Sequence, residues 1–186
     1  MLNRVLLPDS LAAVRFIIFG RTAFELGQLY KTKMYLDSAT ERTGIAGLEG
    51  KWGVELEDLK IDYLRSTGSY LSAIVEIQKT MEKQRKITKR KEKVFNAKTK
   101  SFEFKKVPRK QFKSNVERLG ALKVKYATLN LEWGDYELAD SLFQKNNDEL
   151  SATLKKNDQS VILNQVGFYE RTYEKGDKND IRQIKN

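Results

Sequence analysis

Fifteen of the chain's 35 Lys and Arg residues fall within residues 79–113, where only Glu82, Glu92 and Glu103 oppose them. That stretch carries +12, leaving −2 for the remainder of a chain whose formal charge is +10. A segment this dense in cations cannot be folded by burial, because each charge removed from water needs a partner. The sequence therefore reads as a near-neutral body with one basic arm. Such an arm suits an anionic counterpart: nucleic acid, a membrane surface or an acidic protein.

The 186 residues include neither Cys nor His. Disulfides, thiolate nucleophiles and ordinary zinc or iron–sulfur sites are thereby excluded. The commonest general base near neutral pH and the commonest transition-metal ligand are also missing. The expectation is a non-enzymatic protein with no cofactor and no metal.

Helical periodicity dominates the pattern, and the expected fold is all-α. It is an elongated helical hairpin or small bundle with a long central helix and a short basic β-hairpin arm. The expected organisation is an amphipathic N-terminal helix (1–42), a glycine-rich linker (43–53), a helical bundle (54–176) and a flexible tail (177–186). Pro8-Asp9-Ser10 gives a helix start, with Asp9 or Ser10 as cap. A helix over residues 11–36 presents Leu11, Val14, Phe16, Ile17, Ile18, Phe19 and Phe24 for packing on a partner or a membrane. Gly20 and Gly27 weaken it, each by about 1 kcal/mol relative to Ala. Arg15 interrupts the apolar run, so no bilayer span is expected, nor is a cleaved signal peptide. The compartment is left open, as intracellular or virion.

Residues 54–93 read as one helix about 60 Å long at 1.5 Å per residue, with a candidate break at Ser66-Thr67-Gly68. Its seam is Leu64, Leu71, Ile74 and Met81. Beyond it the period changes, and Val94-Phe95 with Phe102-Glu103-Phe104 suggest a hairpin. Ser114-Asn115-Val116-Glu117 fits a capping box that opens the next helix. A last helix over 159–174 turns Ile162, Val166, Tyr169 and Tyr173 inward.

Three motifs carry little chemistry. Glu55, Asp58 and Asp62 share a helix face and suit a solvated acidic surface or a neighbouring subunit's cations better than a metal site. Residues 44–51 lack the P-loop spacing, and Trp52 stands where a hydroxyl is required. Ala127, Leu131, Gly134-Asp135-Tyr136, Ala139 and Phe143 together resemble one helical hairpin of the tetratricopeptide repeat family. The next Gly-Asp lies 42 positions on, not 34, so the resemblance implies helix–turn–helix packing without a peptide-binding array.

The candidate anion-binding residues are Lys83, Arg85, Lys86, Lys89, Arg90, Lys91, Lys93, Lys98, Lys100, Lys105, Lys106, Arg109 and Lys110. Phosphate contacts need such cations in number but at no fixed spacing. Phe95, Phe102, Phe104 and Phe112 lie among them and suit base stacking or a bilayer interface. The expected role is a structural or assembly subunit of a larger complex, a virion-like particle or a ribonucleoprotein. Its expected partners are other protein subunits, in a homo- or hetero-oligomer, and an anionic surface. The competing expectation is a peripheral or membrane-penetrating protein that lays residues 1–36 in the interface.

Overall fold

Left-handed glycines punctuate this chain. Gly27 (φ 70°), Gly68 (φ 72°) and Gly134 (φ 91°) each close a helix by the same double cap. The Gly27 amide donates to Phe24 O and the Gln28 amide to Ala23 O. Gly68 and Ser69 repeat this on Arg65 O and Leu64 O, and Gly134 and Asp135 on Leu131 O and Asn130 O. The cap requires a positive φ, which glycine adopts without a Cβ clash.

The computed structural model describes residues 9–46, 48, 50–88, 91–96, 100–154 and 158–174. Over these the chain is predominantly helical. The elements are α1 (Asp9–Glu25), α2 (Leu29–Ala46), α3 (Lys51–Ser66), α4 (Tyr70–Ile87), β1 (Lys91–Asn96), β2 (Ser101–Lys106), α5 (Arg109–Trp133), α6 (Tyr136–Thr153) and α7 (Gln159–Glu174). Two units divide after Glu76. No described helix is long and apolar enough to cross a membrane. The tail at 177–186 lies outside the described residues.

In the first unit α1, α2 and α3 all touch one another. Their shared core is Ala13, Ile17, Ala23, Leu36, Ala39, Leu59 and Ile61. Each large aliphatic there contributes roughly 1.5–3 kcal/mol by leaving water. Small residues let the helices approach: a Cβ on Gly20 would lie 2.9 Å from Leu59 Cδ2. The single helix expected over 11–36 is thus two, because Gly27 ends the first and folds the chain back. The expected linker at 43–53 is largely helix too, since α2 reaches Ala46 and α3 begins at Lys51.

In the second unit α5, α6 and α7 pack pairwise. Phe143 is fully buried with Ala127 and Ala139, flanked by Leu131, Leu142 and Phe168. Four of the residues behind the repeat-like resemblance therefore do meet around one helix–turn–helix. Asp135 caps α6 by accepting from the Leu138 amide at 3.1 Å. A neighbouring cluster joins Val124, Leu150 and Val161, with Leu154 against it.

Four sequence expectations are corrected here. The long central helix expected over 54–93 is two helices, α3 and α4, because the Gly68 cap ends the first, and α4 stops at Ile87 before Lys91 opens β1. Leu71 is exposed, and the buried face of α4 is Ala73, Ile77, Thr80, Met81 and Gln84. The capping box is not used: α5 starts at Arg109 after Pro108, and Ser114 lies inside the helix. No breaker separates Pro108 from Ser114, so the helix extends back to the proline. On α7, Ile162 and Val166 face outward, while Ser160, Val161 and Asn164 are buried. Close approach decides that face, because Ser160 sits against Gly120 and Gly167 sits against the Phe143 ring. The side chains of Tyr169 and Tyr173 lie outside the described residues.

Candidate nucleic-acid interface

The basic stretch spans the last two turns of α4, the β1–β2 pair and the start of α5. Seven of the thirteen candidate cations are described to their side chains: Lys83, Arg85, Lys86, Lys100, Lys106, Arg109 and Lys110. All seven are exposed. Lys91, Lys93 and Lys105 are placed by backbone register alone. Lys89, Arg90 and Lys98 lie outside the described residues.

Polar bonds, not apolar burial, hold the root of this region. Gln84 is buried, and its Nε2 donates to Asn115 O at 3.1 Å. Thr88 Oγ1 donates to Gln84 O at 2.7 Å and to Asn115 O at 3.4 Å. In return Asn115 Nδ2 donates to Ile87 O at 3.1 Å, satisfying a carbonyl that the end of α4 leaves open. The charged half of α4 lacks an apolar face but has a polar inward one. Thr80, Gln84 and Thr88 recur every four residues and continue the line of Ile77 and Met81 in polar form. That periodicity was present in the sequence, but an apolar template does not register it.

Local electrostatics are unbalanced. The α4 C-terminus carries Arg85 and Lys86, which suits its negative end. The α5 N-terminus has the opposite arrangement: Arg109 and Lys110 sit in a first turn without any acid, and no side chain caps it. Two cations missed from sequence join the same field. Burial lowers the Lys123 pKa, and the charges of Arg85 and Lys145 lower it further. Lys123 also donates to Glu149. Lys86 pairs with Glu82 at 3.3 Å within α4, both side chains being well exposed, so this bond holds the ammonium only weakly.

β1 and β2 pair antiparallel with Phe95 opposite Phe102, Lys93 opposite Phe104 and Lys91 opposite Lys106. Phe102 and Phe104 are 61% and 71% exposed. Phe112 lies on α5 and is half-buried. Lys100, at φ 51°, brings the chain into β2 in a left-handed conformation that costs a non-glycine residue about 1–2 kcal/mol.

The other candidate groups are distributed differently. Within the first unit Ile17 belongs to the core, while Leu11 and Ile18 point outward at 54% and 46% exposure. Val14, Phe16 and Phe24 are half-buried. Phe16 stacks on Tyr35 at 6.4 Å, and Phe19 meets the same ring at 5.6 Å. The expected apolar stripe is thus shared between core and surface. The acidic face is not simply solvated: Arg21 Nε donates to Glu55 Oε1 at 2.7 Å, and Nη1 donates to Asp62 Oδ2 at 3.1 Å. Among the described residues no group of three or more metal-ligating side chains comes together. Compared with protein-family models, curated proteins and solved structures, the chain gives no match.

Proposed function

We propose that the protein is a non-catalytic assembly subunit that grips nucleic acid through its basic stretch. The observation carrying this reading is the set of seven exposed cations on α4, on β2 and the residue before it, and on α5. Cations at the N-terminal end of α5 oppose its own dipole, an arrangement that an anion lying across them relieves. In this reading the β1–β2 ribbon serves as a hairpin arm. The helix faces with Leu11, Ile18, Ile162 and Val166 exposed pack on neighbouring subunits of a virion-like or ribonucleoprotein-type particle. The absence of His and Cys favours a role without chemistry.

Binding to a mixed-sequence oligonucleotide tests the proposal. A K83Q/K86Q/R109Q/K110Q variant should bind at least tenfold more weakly in 50 mM salt, with unchanged circular dichroism. Wild-type affinity in that variant would remove the reading. A second reading, attachment to a membrane through residues 1–36, draws on the outward Leu11 and Ile18. It predicts flotation with anionic vesicles that disappears when Leu11 and Ile18 are replaced by Ser.

A further inference from the structure

We infer that one face of the β1–β2 ribbon is a stacking platform for unpaired bases, so that the nucleic acid bound is single-stranded. The inference rests on the proposed function and names the substrate class for it.

The register separates the ribbon's residues by chemistry. Residues directly opposite one another share a face, as do residues two apart along a strand. Phe95 with Phe102, Lys93 with Phe104 and Lys91 with Lys106 therefore lie on one face. Val94 with Glu103, Glu92 with Lys105 and Asn96 with Ser101 lie on the other. The first face holds three phenylalanines and three lysines and no acid. Both acids of the ribbon fall on the second face, next to its single lysine.

Two features of that face call for an occupant. Phe102 and Phe104 are largely exposed as residues, and covering such side chains contributes roughly 1.5–3 kcal/mol each. Lys91 directly opposes Lys106, and like charges in that relation weaken a strand pair. A strand of nucleic acid answers both: its phosphates neutralise the lysines and its bases cover the rings. Duplex neutralises the lysines but leaves the rings uncovered, because its base faces are already stacked on one another. An anionic bilayer would cover the rings and attract the lysines to its headgroups, but the mixed face opposes insertion. Inserting the rings would draw Lys93 into the apolar layer beside Phe95, with Lys100 at the ribbon's end going with it.

Fluorescence anisotropy on the full chain tests the inference, using a mixed-sequence single strand, the duplex of that sequence, polyphosphate and phosphatidylserine-containing vesicles. The probe variant is F102L/F104L, which keeps apolar bulk and removes the π faces. The wild type should prefer the single strand to the duplex. F102L/F104L should bind the single strand roughly ten- to a hundredfold more weakly, with duplex and polyphosphate binding unchanged. Equal single-strand affinity in the variant, with duplex still bound, would overturn the stacking face and leave the basic grip standing. Binding to none of the polyanions would sink both. Loss of vesicle binding in F102L/F104L, with single-strand binding intact, would identify the face as a membrane surface and overturn the inference.

Discussion

Arg21 and Glu55 are 34 positions apart in the chain, and the guanidinium Nε donates to the carboxylate Oε1 across 2.7 Å. The pair ties α1 to α3, and Asp62 extends it two turns along α3. Burial works against the charged guanidinium. Hydrogen bonds to Glu55 and Asp62, and their charges, more than reverse that and raise its pKa. Since a raised Arg remains protonated throughout the usual pH range, its contribution should persist at alkaline pH. With side chains 25% and 32% exposed, solvent screening limits the pair's worth. Urea unfolding of R21M, E55Q and the double variant should show R21M losing about 1–2 kcal/mol and a coupling near 1 kcal/mol. Additive losses would mean that the pair does not act as a unit.

Gly167 is the contact point of α7 on α6. A Cβ there would stand 2.7 Å from Cε1 and Cζ of Phe143, a ring that is fully buried. G167A should destabilise the second unit by about 1–3 kcal/mol through overpacking. F143L frees part of that space. The loss caused by G167A should therefore shrink in the F143L background, measured by a double-mutant cycle in thermal or urea unfolding.

Lys123 gives a signed pH dependence. Its pKa is lowered by burial and then by Arg85 and Lys145, against an ordinary value of 10.5. Between the lowered native value and 10.5 the unfolded chain binds more protons, so stability rises with pH in that window. Below the native value the penalty for the buried charge is constant. The unfolding free energy of wild type minus that of K123M should therefore climb as pH is raised towards 10.5. A difference that stays flat across that window would contradict the assignment.

Asn115 holds the root of the basic region, and its side chain covers the Ile87 carbonyl. N115A should loosen the last turn of α4 without unfolding the second unit. At about 1 kcal/mol for the lost bond, the Thr88 amide, which donates to Gln84 O, should exchange about fivefold faster. Unchanged exchange would show that the bonds to Asn115 O suffice alone.

Much of the helical frame was legible because its signals are local. Asp9 starts α1, Gly134-Asp135 stops one helix and caps the next, and α7 occupies the range its periodicity indicates. What the sequence hid is set by contact at a distance. The inward face of α7 is lined by Ser160, Asn164 and Gly167, whose smallness or polarity reads as surface until Phe143 and Gly120 are seen against them. Asn164 is buried and donates to Phe143 O at 2.9 Å, a bond that no periodicity announces. Likewise Glu55 and Asp62 look solvated until Arg21 arrives from another helix. In the basic region the cations themselves were readable from composition. The polar clamp of Gln84, Thr88 and Asn115, and the addition of Lys123 and Lys145 to the field, needed the fold.

The account depends most on the exposed cations engaging phosphates together. Its most direct test is the salt dependence of wild-type binding to a mixed-sequence single strand between 50 and 200 mM salt. Four to seven phosphate contacts, at about 0.7 counterions each, predict a log–log slope of about −3 to −5. A slope near zero, or no binding at the lower salt concentration, would contradict it.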